Sequence, residues 1–141
     1  MEINMLHCRV ELKRLVEAFS EIVGSSLPEM HDLQNFAENQ SGWRQLDGWL
    51  EMDDLAILKT LAGNAVPSGS LLIATDLSYS DGLGVFEVDA RQLDAFVSSY
   101  LSNFGECFFN GDVIICSTSQ KAFWMFHHEG ATLTWVAPIA T

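Results

Sequence analysis

Residues 108–136 read FFNGDVIICSTSQKAFWMFHHEGATLTWV and carry the clearest signal for the fold. Within them, residues 113–116 are apolar at every position, which is typical of a strand buried on both faces in the middle of a sheet. Residues 122–128 and 131–136 predict two further strands, because the Glu-Gly pair at 129–130 favours a tight antiparallel turn between them. We therefore expect neighbouring antiparallel strands in this part of the chain.

Outside this stretch, the period of the apolar residues predicts helices and two more strands. Residues 71–75 and 84–88 are short apolar runs between turn residues, which is typical of strands, and residues 76–82 predict a polar loop. A period of 3.6 residues indicates helices elsewhere. The predicted helices cover residues 5–23, 27–37, 43–50, 54–62 and 90–104.

The order of these elements indicates the α+β class. Helices come first and antiparallel strands follow, without the regular alternation of a doubly wound parallel sheet. We expect N-terminal helices packed on one face of a mostly antiparallel sheet of about five strands, with one inserted helix. Residues 1–141 are predicted to form a single domain.

The charge of the chain is strongly acidic, with 19 Asp and Glu against 7 Lys and Arg and a formal net charge of −12. Binding of nucleic acid through its phosphates is therefore not expected, since that requires clustered basic side chains. An anionic membrane surface is disfavoured for the same reason. A basic protein is the partner that such a charge attracts.

The cysteines and the N-terminus predict a cytoplasmic protein. Cys8, Cys107 and Cys116 are an odd number and lie in apolar contexts, which favours reduced, buried thiols over disulfides. The first residues show no pattern of a signal peptide, and the longest apolar runs are too short to span a bilayer.

Few residues suggest chemistry. His127 and His128 are metal-ligand types beside Glu129, but adjacent strand residues point to opposite faces, so we expect no metal site. A thiol in an apolar strand is inert, and neither a GxSxG motif nor a phosphate-binding loop is present. We therefore predict no catalytic residue, no cofactor and no enzyme. A small enzyme or ligand-binding domain that uses His127, His128 or Asp76 is the alternative.

The acidic residues are unevenly placed, because residues 45–90 hold eight of them against Lys59 alone. Asp53 and Asp89 are placed to cap helices, whereas the other acids have no structural role visible in the sequence. Two interpretations of this acidic cluster stay open: a solvated face of the protein, or a docking surface for a basic protein. A less favoured functional interpretation is that paired carboxylates bind Mg²⁺ or act as acid and base. The predicted partner-binding residues are Glu51, Asp53, Asp54, Asp76 and Asp81, with Trp43, Trp49 and Tyr79 as apolar anchors.

Residues 108–130, FFNGDVIICSTSQKAFWMFHHEG, in a small acidic chain of helices and sheet, resemble the cytoplasmic immunity proteins of bacterial toxin–immunity systems. Contact-dependent growth inhibition immunity proteins are the group most similar in type. The resemblance implies an antidote that binds and neutralises one basic toxin domain, often a nuclease, and it assigns no individual residue. An adaptor domain of a bacterial complex is a further alternative.

Overall fold

A computed structural model of the chain describes residues 7–63, 65–80 and 82–138. The strands are β1 (His7–Val10), β2 (Arg44–Gln45), β3 (Ser70–Ala74), β4 (Val85–Asp89), β5 (Val113–Ser117), β6 (Ala122–Phe126) and β7 (Ala131–Val136). The helices are α1 (Leu12–Val23), α2 (Met30–Glu38), α3 (Asp54–Leu61), α4 (Asp76–Ser80) and α5 (Leu93–Phe104). Short 3₁₀ turns cover Trp49–Glu51, Ala90–Gln92 and Phe108–Asn110.

The strands form one antiparallel sheet in the order β1-β4-β3-β5-β6-β7-β2. Strand β5 lies in the middle, as its sequence predicts, paired with β3 on one side and β6 on the other. Every residue of β5 and of β6 is buried, so the aromatic side chains of β6 belong to the core. The α+β class is confirmed, and the described part of the sheet has seven strands where about five were expected.

Helices cover both faces of the sheet, so the expectation that they cover one face is wrong. On one face, α3 and α5 pack over a core that includes Ile115 and Trp124. On the other face, α1 and α2 pack over a core that includes Ile114 and Phe123. Successive strand residues point to opposite sides, and central strands that are apolar at every position need cover on both.

The N-terminal part differs from its prediction because a strand precedes the first helix. Residues His7–Val10 form an edge strand that pairs with β4, and α1 begins only after it. Pairing with the sheet overrides the helical period of these few residues. Cys8 is therefore exposed, as is Cys107, so among the three cysteines only Cys116 is buried as expected. Met5, where the helix is predicted to begin, lies outside the described residues.

Two short stretches also differ from their predictions. Residues 43–50 form no α-helix; β2 pairs with β7, and Gly48 adopts a left-handed φ of 75° before the 3₁₀ turn. Asp76–Ser80, expected in a loop, forms the short helix α4. Because α4 directly follows β3, it lies at the end of the sheet where β3 finishes.

The ends of the longer helices follow the sequence signals. Gly24 and Gly105 end α1 and α5 with left-handed φ angles of 75° and 83°. Asp53 caps α3, its carboxylate accepting the backbone N–H of Ala56 at 2.8 Å. Among the described residues, no helix combines the length and apolar character that crossing a membrane would require.

Candidate functional site

A hollow opens at the end of the sheet where β3 and β6 finish and β5 begins. Its volume is about 310 Å³, and buried strand residues such as Ala74, Val113 and Phe126 form its floor. Its walls come from α2, α4 and the segments that follow α2 and precede β5. The polar and aromatic wall residues are Gln34, Glu38, Trp43, Asp76, Tyr79, Asp112 and His127.

A second hollow, of about 540 Å³, adjoins the first, and Asp76 and Tyr79 line both. Glu106 and Asn110 belong to the second hollow. Among the described residues, no lysine or arginine lines either hollow. We call the two together the acidic hollow. Within the part of the chain that the structure describes, the carboxylates that line it are those of Glu38, Asp76, Glu106 and Asp112.

Asp76 holds the end of the loop of residues 108–112, directly before β5. Its Oδ1 atom accepts the backbone N–H of Asp112 at 3.2 Å. Its carboxylate also lies so close to Gly111 that a Cβ atom at this position would collide with it. Residue 111 must therefore be a glycine for the carboxylate to approach, and Asp76 has a structural role that the sequence did not reveal.

Asp54 anchors the other end of the same loop. Its two carboxylate oxygens accept the backbone N–H groups of Phe108, at 2.7 Å, and of Phe109, at 3.2 Å. No such role for Asp54 was predicted from the sequence, which placed this residue among the acids free for a partner. Its oxygens are instead engaged within the fold, so less of its charge is available at the surface.

Two aromatic side chains stand beside the carboxylates. Tyr79 is 40 % exposed. Burial of the rest of the side chain, with the nearby charges of Asp112 and Asp76, raises the pKa of Tyr79 to about 12. Its hydroxyl is therefore neutral at physiological pH. The indole N–H of Trp43 donates to the Ala37 carbonyl at 2.8 Å, which fixes the ring at the end of α2. Both rings offer surfaces that attract cations.

The two histidines lie side by side, which corrects the expectation that they point to opposite faces. Strand β6 ends at Phe126, so strand alternation does not extend to them, and the ring centroids of His127 and His128 are 4.1 Å apart. Asp112 Oδ1 accepts the His128 backbone N–H at 2.8 Å and lies 2.9 Å from His128 Nδ1. The hydrogen bond to Asp112 raises the pKa of His128, because it favours the charged imidazole.

The predicted partner-binding residues fall into separate groups. The residues that line the acidic hollow are Trp43, Asp76 and Tyr79. Those that line a different groove of about 550 Å³, between α3 and α5, are Trp49, Asp53 and Asp54. Glu51 is exposed on the 3₁₀ turn beside that groove, and Asp81 lies outside the described residues. Asn110 lines both the groove and the second hollow, so the two surfaces are continuous.

Three carboxylates of the acidic hollow were missed by the sequence reasoning: Glu38, Glu106 and Asp112. They come from α2, from the short segment between α5 and the 3₁₀ turn Phe108–Asn110, and from the residue before β5. Asp112 alone had a sequence signal, since it directly precedes the most apolar strand.

Comparison with known proteins gives no match to a family model, a curated protein or a solved structure. What the hollow binds is therefore inferred from its own charge and shape.

Proposed function

We propose that this protein binds a basic protein partner whose arginine or lysine side chains enter the acidic hollow. The observation that carries the proposal is that the described residues around the two joined hollows supply four carboxylates and no lysine or arginine. Carboxylates gathered in a concave surface repel one another, and the surrounding low-dielectric walls strengthen their field. A cationic side chain that enters relieves this repulsion.

The aromatic residues favour arginine over lysine as the entering group. A guanidinium stacks on an aromatic ring and donates two parallel hydrogen bonds to a carboxylate. Trp43 and Tyr79 supply the rings, and the exposed Glu38 supplies a carboxylate in the same hollow. Lysine offers only a point charge to the same surroundings, so it gains less from the rings.

The groove between α3 and α5 extends this surface with apolar contacts. Leu50 is 77 % exposed and Leu101 is 52 % exposed, and both line the groove. Protein interfaces commonly join an apolar region that supplies affinity to charged groups that select the partner. We propose that the partner covers the acidic hollow and the groove across their shared residue, Asn110.

The specific partner that we propose is a basic toxin domain that acts as a nuclease. In this proposal the chain is a cytoplasmic immunity-type protein that binds and neutralises that domain. Nucleases hold phosphates with lysine and arginine, so their binding clefts are positively charged. An acidic antidote complements such a cleft, speeds the encounter and disfavours other acidic proteins. The net charge of −12 and the resemblance of residues 108–130 to immunity proteins support this form of the proposal.

A binding experiment with paired variants tests the role of the hollow. A short arginine-rich peptide is titrated into the wild type, into Glu38→Gln/Asp112→Asn and into Glu17→Gln/Glu21→Gln. The control pair removes the same charge from α1, beside the opposite end of β3. We expect the hollow variant to bind roughly tenfold more weakly at low salt, since each lost charge costs about 1 kcal/mol or less at a partly solvated site. Equal losses in the two variants would reject the hollow as the binding surface.

The identity of the partner is tested through the neighbouring gene. We expect the preceding reading frame to encode a large secreted toxin with a variable C-terminal domain, and co-expression of this chain to protect cells from that domain. A lone gene or a metabolic operon would count against an immunity role. Stable binding without any loss of toxin activity would instead indicate an adaptor domain.

A further inference from the structure

Asp112, His127 and His128 form a cluster of one carboxylate and two imidazoles at the edge of the acidic hollow. Each residue offers one ligand atom, and these three atoms lie within 4.8 Å of one another. Imidazole nitrogen together with carboxylate oxygen is a common ligand set for Zn²⁺. The side chains of Asp112 and His128 are each about half exposed, so an ion from solvent can reach them.

The local backbone brings the two imidazoles to one side. His127 N–H donates to the Ala131 carbonyl at 2.7 Å, and Gly130 N–H donates to the His127 carbonyl at 2.7 Å, which closes a tight turn directly after β6. Gly130 has a φ of 91° and lies so close to Trp49 that a Cβ atom would collide with the indole. The side-chain amide of Gln45 donates to the Glu129 carbonyl at 2.9 Å, so a residue of β2 also holds the turn.

Asp112 fixes the orientation of one of the two rings. Its Oδ1 atom lies 2.9 Å from His128 Nδ1 and accepts the backbone N–H of the same residue at 2.8 Å. In the free chain this contact holds the ring beside the carboxylate, and an ion bound between them replaces the hydrogen bond between Asp112 Oδ1 and His128 Nδ1. His127 Nδ1 accepts the Glu129 N–H at 3.2 Å, a long bond that ligation through this atom would replace.

We propose that Asp112, His127 and His128 bind a divalent transition-metal ion of the Zn²⁺ type. Zn²⁺ with ligand bonds of about 2.0–2.1 Å places tetrahedral ligands roughly 3.3 Å apart, so the cluster closes around the ion by modest rotations of the exposed Asp112 and His128 and the half-buried His127. Mg²⁺ prefers oxygen ligands and gains little from two imidazoles. Metal binding at this cluster does not require the protein partner, because all three ligands belong to this chain.

A second cluster in the same chain provides an internal control. Glu29, His31 and Asp32 also offer three ligand atoms within 4.8 Å of one another, but with one imidazole instead of two. The experiment is a calorimetric titration of the full chain with Zn²⁺, and separately with Mg²⁺, for the wild type and for His127→Ala, His128→Ala, Asp112→Asn and His31→Ala. Circular dichroism and the melting temperature verify that each variant is folded.

We expect the wild type to bind one Zn²⁺ at this cluster, and each of the three cluster variants to lose tenfold or more in affinity. His31→Ala is expected to stay within twofold of the wild type, and Mg²⁺ is expected not to displace Zn²⁺. A loss below tenfold in both histidine variants would overturn the proposal. So would an equal loss in His31→Ala, or displacement of Zn²⁺ by Mg²⁺ at similar concentration, since either result describes a general attraction of cations to acidic surface.

Discussion

Aspartates and glutamates that share one formal charge have different structural roles in this protein. Asp53 caps α3, whereas Asp54, its neighbour in sequence, binds two backbone N–H groups of the 108–110 turn. Glu51 is exposed on the preceding 3₁₀ turn. Formal charge predicts solubility and long-range attraction, but only hydrogen-bond geometry shows which oxygen atoms remain free for a partner.

Replacement of Asp54 by alanine tests this distinction. The change leaves the partly buried N–H groups of Phe108 and Phe109 without their acceptor, so we expect the free energy of unfolding to fall by about 2 kcal/mol. Glu51→Ala removes the same charge from the same region and should change stability by less than about 0.5 kcal/mol. Urea unfolding measures both, and equal effects would show that the two bonds of Asp54 contribute nothing.

Tyr79 is the residue of the acidic hollow whose protonation is coupled to folding. Its pKa is raised to about 12, first by burial and then by Asp112 and Asp76, so the folded protein holds this proton more tightly than the unfolded chain. The associated stability is complete below the unfolded pKa of about 10 and is lost as the pH rises toward 12. We expect the wild type to lose more stability across this window than Tyr79→Phe, as measured by urea unfolding. The same loss in both proteins would disprove the raised pKa.

At the level of secondary-structure elements, the position of Cys116 in the central strand β5 predicts how its thiol reacts. Cys116 is buried within it, and this burial raises the pKa of its thiol, whereas Cys8 and Cys107 are exposed. A thiol that is protonated and enclosed reacts slowly. We therefore expect a thiol reagent to modify Cys8 and Cys107 rapidly in the native protein and Cys116 only after denaturant is added. Rapid modification of Cys116 in the native state would contradict the position of β5.

The helices and strands that could be predicted from the sequence are those identified by the pattern of their own apolar residues. The apolar period of α1, α3 and α5 and the apolar run of β5 follow directly from the residues. The short elements β1, β2 and α4 depend on partners far along the chain, such as the pairing of His7 with Val88 and of Arg44 with Thr132. Such contacts cannot be read from local periodicity, and this explains why β1 was expected in a helix.

In the molecule as a whole, the acidic hollow depends on the order of the strands. Asp76 and Asp112 are neighbours because β3 and β5 pair antiparallel, which brings the end of one to the start of the other. The sequence predicted Trp43, Asp76 and Tyr79 as members of one binding patch with other acids, and Asp53 and Asp54 of that patch line the neighbouring groove instead. The carboxylate of Glu38 joins them only through the packing of α2 on the sheet, a contact with no local signal.

The most direct test of the acidic hollow as a docking surface is a nuclear magnetic resonance titration. The ¹⁵N-labelled chain is titrated at low salt with a short arginine-rich peptide, and the shift of every backbone amide is followed. We predict that the largest shifts fall together in residues 34–43, 76–80 and 106–112, around the carboxylates of the acidic hollow. Shifts spread evenly over all acidic surfaces, or concentrated on α1, would contradict the hollow as the site where a basic partner binds.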